Sequence, residues 1–183
     1  MSAAESSTGT TPGPSPVRTI AVVRHAKAEW SDSSDHERPL TDRGRLDAPA
    51  GERLAATGLP FGLALCSTAT RTRETWRLAV AELPRRPRTV YEERVYEASP
   101  GELIAVLNEV DDDVQDLVLI GHNPGVQGIT EILAGSAEPE AAALVGRRGF
   151  PTAAVALLTF TGPWKSLEPG SATLTEFWTP HPG

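Results

Sequence analysis

Several things are scarce in this chain, and each scarcity excludes something. Its 183 residues hold a single cysteine, Cys66, which rules out an internal disulfide and fits a reducing cytosol. Lysine is nearly missing: of 17 basic residues only Lys27 and Lys165 are lysines. Almost every positive charge is therefore a planar guanidinium, able to grip an oxyanion through two parallel hydrogen bonds. No apolar run approaches the ~20 residues of a membrane span. Acidic residues outnumber basic ones by 24 to 17, and a net charge of -7 without a Lys-rich run argues against nucleic acid or an anionic membrane as partner. The opening "MSAAESSTGTTPGPSP" has neither the basic start nor the apolar centre of a secretory signal, so residues 1–17 are expected to form a disordered tail and the location is expected to be cytoplasmic.

What remains, residues 18–183, suffices for a single domain with one sizeable core. Short apolar runs alternate with longer amphipathic ones, which predicts an α/β layered domain. The expected strands are "TIAVV" (19–23), "GLALC" (62–66), "DLVLI" (116–120) and "AAVALLTF" (153–160), followed by "RTVYE" (88–92) and "ATLTEFW" (172–178). Several are apolar throughout, as strands covered on both faces are. Helix ends mark the remainder. Thr41 caps a helix running towards Gly58, which Pro49 should kink or restart. Residues 69–83 set Trp76, Ala79, Val80 and Leu83 on one stripe before Pro84. "SPGELIAVLNEV" (99–110) opens with a capping box, and "HNPGVQGITEILAG" (122–135) takes Asn123 as cap and Gly135 as stop.

Two strand exits look alike. "IAVV" runs into Arg24 and His25, while "LVLI" runs into Gly121, His122 and Asn123. Ligands of open α/β sheets bind at the carboxyl ends of the strands, so both imidazoles are expected on one rim. A third exit, "LALCSTATR", adds Arg71 near the start of the next helix. Two histidines and two arginines beside a helix N-terminus describe a phosphate pocket. Other site types fail on counting. Cys66 and Arg71 enclose four residues where a cysteine-dependent phosphatase needs five, so the thiol is read as core packing. No Gly-rich run ends in Lys and Ser or Thr, and the four histidines show no zinc-like pairing. The acidic stretch "SDSSDHE" (31–37) reads as a solvated loop rather than a cation site, and "VGRRGFP" (145–151) as a basic turn or, through Arg147 or Arg148, a border of the pocket.

Taken in order, "VVRHAKAEW", "ERPLTDRG", "LCSTATRTRET", "VYEASPGEL", "LIGHNPGV" and "FPTAAVALL" resemble the histidine phosphatase superfamily, and among its members the compact SixA-type phosphohistidine phosphatases. The resemblance runs from about Ile20 to Phe160. It implies a phosphoglycerate-mutase-like fold, a three-layer α/β/α sandwich around a mostly parallel sheet, with no cofactor and no metal. It implies that His25 is the nucleophile, that Arg24, Arg71 and His122 complete the phosphate pocket, and that Arg38 and Asn123 contribute to substrate binding. Ala26 stands where the superfamily usually has glycine, which should tighten the backbone beside the phosphate. In other branches a Glu donates the proton; "YEERVY" offers Glu93, with Glu92 and Glu97 nearby, while compact members manage without a defined donor. The partner so implied is a phosphorylated signalling protein, met by a monomer or weak oligomer. A phosphatase of small phosphoesters and a catalytically silent phosphate-binding module are the alternatives.

Overall fold

The computed structural model describes residues 13–47 and 50–181. Among these residues seven strands form one sheet: β1 (Val17–Arg24), β2 (Leu63–Ser67), β3 (Arg88–Glu92), β4 (Asp116–Gly121), β5 (Ala134–Ala137), β6 (Val155–Thr161) and β7 (Ala172–Trp178), in the order β3-β2-β4-β1-β6-β7-β5. The pairs β1·β4, β2·β4, β2·β3 and β5·β7 are parallel, whereas β6 runs antiparallel to both its neighbours. Among the described residues six α-helices accompany them: α1 (Asp42–Leu46), α2 (Ala50–Ala56), α3 (Thr70–Val80), α4 (Pro100–Asn108), α5 (Gly125–Leu133) and α6 (Pro139–Arg148).

Strand alternation divides the core in two. Ile20, Val22, Leu63, Leu65, Leu117 and Leu119 pack against α4, α5 and α6. The intervening residues Ala21, Val23, Ala64, Cys66, Val118 and Ile120 pack against α2 and α3, where Trp76, Ala79 and Leu54 are buried. Successive side chains of a strand point to opposite faces, so strands that are apolar throughout require a helical layer on each side. The three-layer sandwich follows. Cys66 belongs to this packing: it is fully buried, and burial pushes its thiol up to about 12, far from a reactive thiolate.

Most expected elements are present, and the differences have causes. The helix expected from Thr41 to Gly58 is two, α1 and α2; Thr41 does cap the first, accepting from Gly44 N–H at 2.8 Å, while Pro49 lies outside the described residues. Ser99 and Glu102 form the predicted capping box of α4. The helix after His122 starts at Gly125, so Asn123 stands just before its cap residue, Pro124, and reaches the Gln127 N–H at 3.3 Å from there. Gly135 does not stop that helix but lies in β5, a strand of Ala, Gly and Ser with no β-branched or aromatic residue to announce it. The stretch 145–148 closes α6 rather than forming a turn. The tail expected over residues 1–17 falls largely outside the described residues; Val17, at its end, already begins β1.

Candidate active site

Register sets the site. In the parallel pair β1·β4, Arg24 lies opposite Gly121, and the His25 N–H donates to the Gly121 carbonyl at 3.1 Å. The next residue of each strand is a histidine. Strand spacing therefore brings the rings of His25 and His122 together, with centroids 5.3 Å apart. Both are 9% exposed and line a cavity of about 690 Å3 with Arg24, Arg38, Arg71 and Asn123.

The loop leaving β1 is locked from outside. Ala26 N–H donates to Thr75 Oγ1 at 2.9 Å, and the Thr41 N–H donates to the Lys27 carbonyl at 2.9 Å. Gly44 packs so closely that a Cβ there would stand 2.1 Å from the Lys27 carbonyl oxygen, which accounts for the glycine of "LTDRG". The methyl of Ala26 joins Leu40 and Ala153 in a small apolar cluster. That methyl points into the cluster and does not line the cavity.

Each histidine is held by one nitrogen. His25 Nδ1 lies 2.7 Å from the Ala26 carbonyl, an obligate acceptor, so Nδ1 carries the proton and Nε2 the lone pair. His122 Nε2 lies 2.6 Å from Ser67 Oγ, which also accepts from the Ala69 N–H at 3.3 Å. Burial drives the His25 imidazole down to about 4, with Arg71, Arg24 and Arg38 pushing the same way. Burial likewise takes His122 down to about 3, aided by His25 and Arg71 and opposed by Asp35. Both rings are therefore neutral at pH 7, and His122 is a neutral hydrogen-bond partner rather than an imidazolium.

The arginines are oriented by groups absent from the sequence reading. Arg24 Nη1 donates to the Phe150 carbonyl at 2.9 Å, and Asn123 Nδ2 donates to the same oxygen at 3.0 Å. The segment after α6 thus borders the site through a backbone carbonyl rather than through Arg147 or Arg148. Arg71 gives Nη1 to the Asp35 carbonyl at 2.7 Å and Nη2 to the Asp35 carboxylate at 3.0 Å. Arg38 Nη1 meets the other carboxylate oxygen at 3.0 Å, and the Tyr96 hydroxyl donates to Asp35 at 2.6 Å. Residues 31–37 are therefore more than a solvated loop: Asp35 ties together two arginines and a tyrosine. The signal was the aspartate beside "ERPLT", three residues before Arg38, and it needs three-dimensional contact to be read.

These contacts have electrostatic consequences. The Tyr96 hydroxyl, then Arg38 and Arg71, hold the Asp35 carboxyl well below the usual carboxylate range, and the same bond pushes Tyr96 up to about 12. At neutral pH Asp35 has no proton to give, and the Tyr96 proton is committed to Asp35. Glu93 is exposed and lies outside the cavity lining; Glu97 is the glutamate at the rim. Among the described residues the buried side-chain nitrogens without a partner are Arg24 Nε, Arg71 Nε and His122 Nδ1, all in this cluster. Unsatisfied buried polar atoms are costly, about 1–3 kcal/mol each, and their concentration marks a functional site. Backbone strain points the same way. The described non-glycine residues with positive φ are Glu97 (55°) at the cavity edge and Ala153 (62°), whose N–H donates to the Arg24 and His25 carbonyls.

Known proteins resemble this chain over nearly all its length. The model of the histidine phosphatase superfamily (branch 1) matches residues 20–118. An uncharacterized protein of Mycobacterium tuberculosis is 39% identical over 163 residues, 86% of this chain and 99% of its own. A structure from Nakamurella multipartitia assigned as phosphohistidine phosphatase SixA is 29% identical with a TM-score of 0.77, covering 91% of this chain and 98% of that one. A structure from Agrobacterium tumefaciens with the same assignment is 26% identical, with a TM-score of 0.73 and the same coverage.

Proposed function

The chain belongs to the histidine phosphatase superfamily, and from that premise we propose that it removes the phosphoryl group from phosphohistidine on a protein, through a covalent intermediate on His25. Membership carries phosphatase chemistry. The observation that supports the nucleophile is the bond from His25 Nδ1 to the Ala26 carbonyl, which leaves Nε2 as an unprotonated base inside a cluster of guanidinium groups.

In the first step the Nε2 lone pair attacks phosphorus, a new N–P bond forms, and the N–P bond to the substrate histidine breaks. The departing ring leaves as neutral imidazole when its other nitrogen carries a proton. In the second step water attacks phosphorus, the bond to His25 breaks, and inorganic phosphate is released as the water proton passes to the medium or to a neighbouring nitrogen. Arg24, Arg71 and His122 stabilise charge on the equatorial oxygens, so catalysis rests on positioning and electrostatics. If the Ser67 hydroxyl donates to His122 Nε2, the ring proton sits on the unpartnered Nδ1 and is available to such an oxygen.

The substrate class follows from the leaving group. An alkoxide needs a proton from a placed acid, whereas protonated phosphohistidine sheds a neutral ring. Asp35 and Tyr96, the acids hydrogen-bonded beside the arginines, are tuned away from donating, which supports the N-linked substrate. A second reading, hydrolysis of small phosphoesters, is favoured by one feature, the strained Glu97 at the cavity rim. A panel of a phosphohistidine protein, phosphoserine and sugar phosphates tests the choice, with His25→Ala as blank. Fastest turnover of phosphohistidine, unchanged in Glu97→Gln, is the expected result. Far faster turnover of a sugar phosphate, abolished in Glu97→Gln, overturns it. Among the described residues no helix is long and apolar enough to cross a membrane.

A further inference from the structure

We propose that a basic groove on the outer side of α3 docks an acidic, extended segment of the protein substrate; the substrate part of this rests on the phosphohistidine reading above. The groove encloses about 530 Å3 between α3 and the edge strand β3, and Arg73, Arg77 and Arg86 line it together with Tyr91 and Glu74. It adjoins the active site. Arg71 lines the catalytic cavity and its neighbour Thr70 lines the groove, so the two surfaces meet at the first turn of α3.

Its charge is opposite to that of the molecule. The chain carries -7, yet among the described residues none of Arg73, Arg77 and Arg86 forms an ion pair. The carboxylate that lines the groove is already committed: Glu74 accepts from the Leu40 N–H at 3.1 Å and pairs with Arg45 at 3.5 Å. Arg73 is held over the half-exposed ring of Tyr91, 4.7 Å from its centroid, which fixes one cation in place. Exposed guanidiniums without a carboxylate partner are an attractive surface for carboxylates, while the negative remainder of the molecule repels them. An acidic partner is thereby steered to this face. Among the described residues no strand lies beside the outer edge of β3, which suits an extended segment over a rounded one.

Two measurements on the full chain test the docking. In the first, a fluorescently labelled peptide rich in Asp and Glu is titrated into the wild type and into Arg73→Glu/Arg77→Glu. The wild type should bind at low salt and lose affinity as salt rises, and the variant should bind at least about tenfold more weakly. Arg77→Ala/Arg86→Ala, which keeps Arg73 on Tyr91, should show the same loss in smaller measure. Equal binding by all three proteins, no binding by the wild type, or tighter binding of a DNA oligonucleotide than of the peptide overturns the groove. In the second, the charge-reversed variant should raise KM for an acidic phosphohistidine protein about tenfold, with kcat kept and free phosphohistidine hydrolysed at the wild-type kcat/KM. Equal slowing on both substrates overturns the docking. Failure of the wild type to hydrolyse either one overturns the phosphohistidine reading instead, and the peptide titration then decides the groove alone.

Discussion

The exits of β1 and β4 are built to one plan and end in different chemistry. Both strands are apolar, parallel and in register, both finish one residue before a histidine, and both histidines are 9% exposed with lowered basicity. They differ in what holds the ring. A backbone carbonyl, which can only accept, fixes the proton of His25 on Nδ1. A hydroxyl, which can give or take, holds His122 by the opposite nitrogen. Burial makes both rings neutral, and the second contact is what distinguishes them: on the proposed mechanism it suits His25 to attack and His122 to donate. Position in a strand is thus a poor guide to role until the partner of the far nitrogen is known.

Substitutions should separate the two exits by size of effect. Removing the nucleophile is the most severe: His25→Ala should lower kcat on the order of ten-thousand-fold, read by phosphate release from a protein whose melting curve is retained. His122→Ala should cost less, roughly a hundred- to thousand-fold in kcat, as for a lost oxyanion donor. Equal losses in the two variants would erase the asymmetry. Ser67→Ala frees the His122 ring but leaves His25 untouched, so a smaller fall of about tenfold in kcat with an altered pH profile is expected. Asp35→Asn keeps the shape around Arg71 but removes its charge partner; KM should change by a few-fold, and stability by no more than about 1 kcal/mol, because the carboxylate is half exposed.

The mildest test uses pH alone. With His25 near 4 and its unfolded value at 6.5, kcat/KM should stay level from neutral pH to about 5 and fall below that as the nucleophile protonates. Between 6.5 and 4 the unfolded chain binds more protons than the folded one, so the two buried rings make the melting temperature drop across that window on acidification. A rate that already halves near 6.5 would place His25 in water.

Much of this was legible in the sequence because it was local. Apolar runs gave six of the strands, and cap residues gave Thr41 and Ser99 their places. The four residues His25, His122, Arg24 and Arg71 were readable because strand ends in a parallel sheet share a rim, so order along the chain translates into position. What was hidden depends on contacts across the chain. Asp35 sits in an acidic, Ser-rich loop and is 36 residues from Arg71, so nothing nearby shows that the two meet. Phe150 works through its carbonyl, which no side-chain pattern reports. β5 lacks strand-forming residues and exists because β7 offers it an edge. Glu93 and Glu97 are four residues apart, and only the course of the chain after β3 puts the latter at the rim.

A covalent phosphoryl group on His25 is the most direct test of the account. The purified protein is mixed with a radioactive phosphohistidine donor, quenched within the first turnover and mapped by peptide. An acid-labile, base-stable label on the peptide containing His25, absent in His25→Ala and still formed in His122→Ala, is the predicted result. Phosphate released at full rate with no label on His25, or a label carried by His122, would contradict it.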